Sequence, residues 1–157
     1  MKSFWLIIST FFNVGYLPLA PGSWASLLTA AVLFLASRWL QTTSFLWLML
    51  ATLPVFIIGV YASHRAEKLL GSKDPQPIVI DEVAGQMVAL WWTPVTIPAY
   101  LAAFLLFRIL DIFKPFPINR IDRGVRGGWG IMLDDVLAGL YVVGIMQLFY
   151  RIFPHLA

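Results

Sequence analysis

Seven of the eight acidic residues in this chain lie between Asp74 and Asp135: Asp74, Asp81, Glu82, Asp111, Asp122, Asp134 and Asp135. They alternate with Arg108, Lys114, Arg120, Arg123 and Arg126, in polar stretches that punctuate long apolar runs. A carboxylate near hydrocarbon is costly, so a cluster of them there marks a functional site. Carboxylate oxygens are what a hard cation such as Mg2+ takes as ligands. The basic residues beside them suit a phosphate, through charge-assisted hydrogen bonds.

Four short segments carry this chemistry. Asp81-Glu82-Val-Ala-Gly85 and Asp134-Asp135-Val-Leu-Ala-Gly139 are alike: an acidic pair opens an apolar helix, and small residues follow a turn later. Small residues let helices approach closely in a membrane. Side by side, two such helices could bring four carboxylates together, one member of each pair facing a metal and the other making a supporting or capping contact. Each pair alone also reads as helix capping, and Asp134 and Asp135 then sit in a first turn where the helix dipole favours negative charge. In Phe107-Arg108-Ile-Leu-Asp111-Ile-Phe-Lys114, Arg108, Asp111 and Lys114 recur every third residue and share a helix face. They form either a phosphate-holding group or an interfacial ion pair of little energetic consequence. Asn119–Gly128 sets arginines among glycines, as a loop that wraps phosphate or as one that only sets topology. Ser23 and Ser26, after Pro21-Gly22, open an apolar helix, with Ser23 as an ordinary cap or as part of an anion site.

The elements that must position these residues are membrane helices. Hydrophobic residues make up 60% of the 157 and charged residues 12%, against about 45–50% and 25% in soluble domains. Trp24–Leu40 and Phe45–Ser63, the latter with Pro54 inside it, read as a transmembrane hairpin closed by a polar turn at Gln41–Ser44. Pro94 and Pro98 cut Val83–Phe107 in two, and Ile131–Phe153 is the last long helix. Arginines and lysines gather in or beside the polar stretches 64–80 and 114–130, which places both on the cytoplasmic side. Residues 83–107 then form a broken, re-entrant hairpin rather than one kinked crossing. The N-terminal run Phe4–Phe12 is too short and too interrupted for a signal peptide and reads as an uncleaved interfacial or re-entrant helix. The fold expected is an all-α, polytopic membrane bundle forming a single domain over 1–157.

Several classes drop out. The chain has no cysteine, which excludes disulfides, thiolate metal sites and cysteine-nucleophile phosphatases. There is no polybasic run suited to nucleic acid, and no obligate protein partner is evident. His64 and His155 have no ligand-like spacing.

In order along the chain, Gly15-Tyr-Leu-Pro-Leu-Ala-Pro-Gly-Ser23, Asp74-Pro75 with Ile78–Gly85, Phe107–Pro115, and Asp122-Arg123 through Gly130–Gly139 resemble the phosphatidylglycerophosphatase A family. The resemblance implies a Mg2+-dependent lipid phosphatase of the bacterial inner membrane, acting at the cytoplasmic face. Its substrate would be phosphatidylglycerophosphate, its products phosphatidylglycerol and phosphate. In that frame Asp81, Glu82, Asp134 and Asp135 are the expected metal set, with Asp111 as ligand or support. Arg108, Lys114, Arg123 and Ser23 are expected at the phosphate. Glu82 is a candidate general base for attack by water, and an aspartyl-phosphate route stays open. Two competing readings are a lipid head-group phosphotransferase, whose D-G-x-x-A-R-type signature is absent, and a small cation channel or carrier, whose carboxylates would line a path through the bilayer rather than gather at helix ends.

Overall fold

The structure, a computed structural model, describes residues 2–41 and 45–154. It is all-helical over those residues: α1 (Lys2–Ser9), α2 (Pro21–Trp39), α3 (Phe45–Leu70), α4 (Ile80–Ala89), α5 (Ile97–Phe113), α6 (Ile118–Gly124) and α7 (Gly128–Ile152), with a 3-10 turn at Val14–Tyr16. Residues 42–44 of the expected polar turn, and His155, lie outside the described residues.

α3 and α7 are long and apolar enough to cross a bilayer. Much of what they and their neighbours present outward is large and apolar, with Leu35, Leu53, Ile57, Leu105, Leu148 and Ile152 each more than half exposed. An apolar surface of that extent suits contact with lipid rather than water. α2 has the length but carries Ser23, Ser26, Thr29 and Ser37 in its sequence, and it does not reach the hydropathy of the other two.

α4 is the axis of the fold. Every residue of it except Glu82 is buried. It packs most extensively on α7 and also touches α2, α3 and α5. The glycines of the two similar acidic motifs make the α4–α7 approach possible: a Cβ at Gly139 would lie 2.4 Å from the Gly85 carbonyl oxygen, and one at Gly85 would lie 2.7 Å from that of Asp135. The two backbones are therefore in direct contact, as small residues permit between membrane helices.

The apolar run over 83–107 is broken at residues 90–96, between α4 and α5. α4 leaves the end of the molecule that holds the acidic residues and α5 returns to it, since Asp81 at the start of one and Asp111 near the end of the other face the same cavity. The two polar stretches also meet there, with Lys73 Nζ donating to the Asp122 carbonyl at 2.8 Å. At the same end, Val79 N–H donates to the Ser9 carbonyl at 2.9 Å. A Cβ on Gly15 would lie 1.9 Å from the Pro77 carbonyl oxygen. The N-terminal segment thus clamps the loop that leads into α4.

Three local expectations are corrected. α7 starts at Gly128, so Asp134 and Asp135 lie in its second turn and do not complement the helix dipole. The cause is packing: a Cβ at Gly128 would sit 1.8 Å from the Val60 carbonyl oxygen, so glycine lets the helix begin pressed against α3. Part of the expected glycine-arginine loop is the short helix α6. Ser23 does not cap α2, which opens with Ala20 as N-cap and Pro21 in the first turn, the position where proline's missing N–H costs nothing.

Candidate functional site

The acidic end of the bundle encloses a cavity of about 240 Å3. Ala20, Pro21 and Gly22 at the start of α2 form one wall. The loop residues Asp74, Gln76 and Ile78 form another, Asp81 and Glu82 come from α4, and Asp135 from α7. Arg108, Asp111 and Lys114 line the remaining side, at the end of α5.

Asp81, Glu82 and Asp135 converge, each offering a carboxylate oxygen within 4.8 Å of the others. Oxygens on opposite sides of one Mg2+ are about 4.2 Å apart, from a ligand distance of about 2.1 Å. Adjacent oxygens in the same shell are about 3.0 Å apart, so the three side chains would close in around a bound ion. Asp81 Oδ1, Glu82 Oε2 and Asp135 Oδ2 are buried and have no hydrogen-bond partner. An all-oxygen, anionic and unsatisfied donor set fits a hard cation.

Charge bookkeeping points the same way. The wall holds five acids, Asp74, Asp81, Glu82, Asp111 and Asp135, against two bases, Arg108 and Lys114. A phosphate group would meet a formally negative surface unless added cations reversed it. Burial, reinforced by the adjacent Glu82 charge, holds the Asp81 carboxyl well above its ordinary range. Burial likewise pushes Glu82 up to about 7, with Asp111 adding to the push and Arg108 opposing it. Protons thus stand in for the charge that a cation would supply.

Arg108 joins the carboxylates to the rest of the wall. Its Nη1 lies 2.7 Å from Asp111 Oδ2 and 3.7 Å from Glu82 Oε1. Its Nε is buried without a hydrogen-bond partner, which leaves a donor for an incoming oxygen anion. Gly22 makes room for this pair: a Cβ there would lie 1.8 Å from Glu82 Oε1 and 3.1 Å from Arg108 Nη1. Lys114 ends α5 in a left-handed conformation, φ 42°, which turns its chain back over the site. Its Nζ pairs with Asp122 Oδ1 at 3.0 Å and donates to Asp134. Burial would lower the Lys114 pKa, but the bonds to Asp134 and Asp122, together with the Asp134 and Asp135 charges, outweigh it and hold the ammonium firmly charged.

The residues expected at the site therefore separate. Asp81, Glu82 and Asp135 form the convergent group, and Asp111, Arg108 and Lys114 line the same cavity. Asp134 turns aside to anchor Lys114, as adjacent helical residues pointing about 100° apart allow. Arg123 is exposed on α6 and does not line the cavity. Ser23 is half-buried just beyond Gly22, also off the lining, and the Ser26 hydroxyl is spent on the Gly22 carbonyl at 2.8 Å. Gly22, Gln76 and Ile78 are wall residues that the motif reading did not single out. Gln86, one turn beyond Glu82, is fully buried with both amide atoms unpartnered. No charge marks any of these four in the sequence.

The sequence model of the family described as phosphatidylglycerophosphatase A matches residues 7–150. A phosphatidylglycerophosphatase A of Escherichia coli (strain K12) is 39% identical over 150 residues, covering 93% of this chain and 83% of that protein. One from Haemophilus influenzae is 36% identical over 138 residues, covering 87% of this chain and 83% of that protein. A putative phosphatidylinositol-3-phosphatase of Bacteroides thetaiotaomicron is 36% identical over 140 residues, covering 87% of each chain. No solved structure matches. The chain belongs to the phosphatidylglycerophosphatase A family.

Proposed function

We propose that the chain is a single-domain, Mg2+-dependent lipid phosphatase that hydrolyses the terminal phosphomonoester of phosphatidylglycerophosphate to phosphatidylglycerol and phosphate. The observation that carries this reading is the convergence of Asp81, Glu82 and Asp135 opposite Arg108, in a cavity whose wall is too acidic to take a phosphate without a cation. The names of the E. coli and H. influenzae relatives supply the lipid. The charge asymmetry of the polar stretches supports a cytoplasmic site on a multi-pass protein of the bacterial inner membrane, with α4 and α5 as a re-entrant pair and α1 lying at the interface.

Asp81, Glu82 and Asp135 would hold the ion. The chemistry that Mg2+ supplies there when bound is Lewis acidity, which neutralises phosphoryl oxygens and acidifies water. Arg108, oriented by Asp111, donates to the non-bridging phosphoryl oxygens, where charge is spread in the transition state. Lys114, held by Asp134 and Asp122, adds a fixed positive charge to the same side. In-line attack by water forms the new P–O bond as the bond to the glycerol oxygen breaks. The proton released by water goes to the departing glycerol oxygen; Glu82, the least enclosed of the three carboxylates and the one facing Arg108, is placed to carry it when it is not bound to the ion. The arrangement serves hydrolysis at an interface better than conduction, since the carboxylates gather at one end of the bundle instead of lining a path through it.

The Bacteroides relative favours one variation, hydrolysis of another phosphomonoester lipid such as a phosphatidylinositol 3-phosphate. Phosphate release by purified, lipid-supplemented protein from each of the two lipids, in Mg2+ and then in EDTA, separates the readings. Mg2+-dependent release from phosphatidylglycerophosphate is expected. Release from the inositol lipid alone would move the assignment, and release from neither would end the phosphatase reading.

A further inference from the structure

Part of α3 forms one wall of a second cavity, of about 290 Å3, with no charged residue in its lining. Leu50, Leu53 and Phe56 of α3 meet Val88 of α4, Trp91 just beyond α4, and Val136 of α7 across it. Its polar groups are satisfied among themselves: Trp91 Nε1 donates to Thr52 Oγ1 at 3.3 Å, and the Thr52 hydroxyl donates to the Leu48 carbonyl at 2.7 Å. What remains is apolar, and an apolar cavity does not hold water well. Leu50 and Leu53, 59% and 57% exposed, form its lip. Both belong to a helix long and apolar enough to span a bilayer, so the opening faces hydrocarbon.

The two helices that carry the carboxylates also build this groove. Val136 directly follows Asp135. Val88 lies seven residues beyond Asp81, two turns along the same face of α4. At a rise of about 1.5 Å per residue, Val88 sits about 10 Å from the level of Asp81, and Trp91 about 15 Å. In phosphatidylglycerophosphate, a glycerol, a phosphodiester and part of a second glycerol separate the terminal phosphorus from the acyl-bearing carbons. Nine or so bonds advancing about 1.2 Å each make that separation roughly 11 Å. From Val136, one residue beyond Asp135, to Trp91 the groove spans the depth where an acyl chain must begin if the phosphomonoester lies against Arg108.

We propose that the groove between α3, α4 and α7 takes one fatty acyl chain of the phosphomonoester lipid whose head group occupies the carboxylate cavity. The proposal rests on the lipid-phosphatase reading above and adds where the lipid's tail is held.

Photo-crosslinking tests it without turnover. The probe is a phosphonate analogue of phosphatidylglycerophosphate with a diazirine midway along one acyl chain, added to wild-type protein with Mg2+. Crosslinks are expected within residues 49–56, displaced by unlabelled phosphatidylglycerophosphate but not by the same amount of phosphatidylcholine. Crosslinks elsewhere, or equal displacement by both lipids as for ordinary bilayer lipid, would overturn the proposal. Leu53→Trp, which fills the groove, gives a second readout. The ratio of kcat/KM for dioleoyl over dihexanoyl substrate should fall about tenfold, the low end of what misfit by a methylene costs in an apolar pocket. An equal loss on both substrates would count against the groove. If wild-type protein releases no phosphate from either substrate, the phosphatase reading fails, and the crosslinks still decide the groove.

Discussion

Replacing Gly22 with alanine isolates the geometry of the site from the stability of the fold. Gly22 lies in the first turn of α2, where alanine is the better helix former by about 1 kcal/mol. The added Cβ would meet Glu82 Oε1 at 1.8 Å, the end of a flexible side chain, and Arg108 Nη1 at 3.1 Å. Moving that oxygen from 1.8 Å out to an ordinary contact of 3.4 Å shifts it by 1.6 Å. A catalytic group tolerates about 0.5 Å of error, and a 1 Å misplacement costs about a hundredfold. Gly22→Ala should therefore retain its Tm to within a few degrees and lose at least about a hundredfold in kcat/KM for phosphatidylglycerophosphate. Phosphate release and a thermal melt in the same detergent measure both. Activity within threefold of wild type would show that Glu82 need not occupy its observed place. A collapsed Tm would show that Gly22 serves the fold instead.

Lys114→Met should destabilise by about 1–3 kcal/mol, because it strands Asp134, whose side chain is 4% exposed. Asp122→Asn, at the same lysine but 32% exposed, should cost less than about 1 kcal/mol; equal losses in denaturant titration would contradict the division of roles. The melting temperature of EDTA-treated protein should fall as pH rises from about 5 to 8. Across that interval the folded chain still holds the Glu82 proton, up to about pH 7, that the unfolded chain releases near its ordinary value. Stability is thus full at the acid end and lost upward, with Glu82 contributing about 3 kcal/mol and the raised Asp81 carboxyl adding to the fall. Saturating Mg2+ should flatten this fall, and a Tm that rises with pH in EDTA would contradict it.

The acidic pairs were legible in the sequence because a charge within an apolar run is conspicuous, and their matching glycines forecast the contact between α4 and α7. The partition within the second pair was not legible. Asp134 and Asp135 are equivalent on paper, and only the path of α5, ended by the left-handed Lys114, assigns Asp134 to the lysine and leaves Asp135 in the cavity. The sequence pattern starts α7 at Ile131, three residues late, because Gly127, Gly128 and Gly130 look like loop residues. At Gly128 the close approach to Val60 overrides the helix propensity of glycine. Arg123 looked equal to Arg108 by type and neighbours, but α6 turns it to solvent. Gly22 carries no chemistry of its own, and its role is visible only once Glu82 and Arg108 are seen to fill the space where its Cβ would be.

The most direct test of the central claim is Mg2+ binding and phosphate release measured together on wild-type and Asp135→Asn protein. The wild type should release phosphate from phosphatidylglycerophosphate in Mg2+, stop in EDTA, and melt higher as Mg2+ is added. The variant should stay folded, lose at least about a hundredfold in activity, and lose the Mg2+-induced rise in Tm. Near-normal turnover by Asp135→Asn at low Mg2+ would contradict the assignment of Asp81, Glu82 and Asp135 as the metal site.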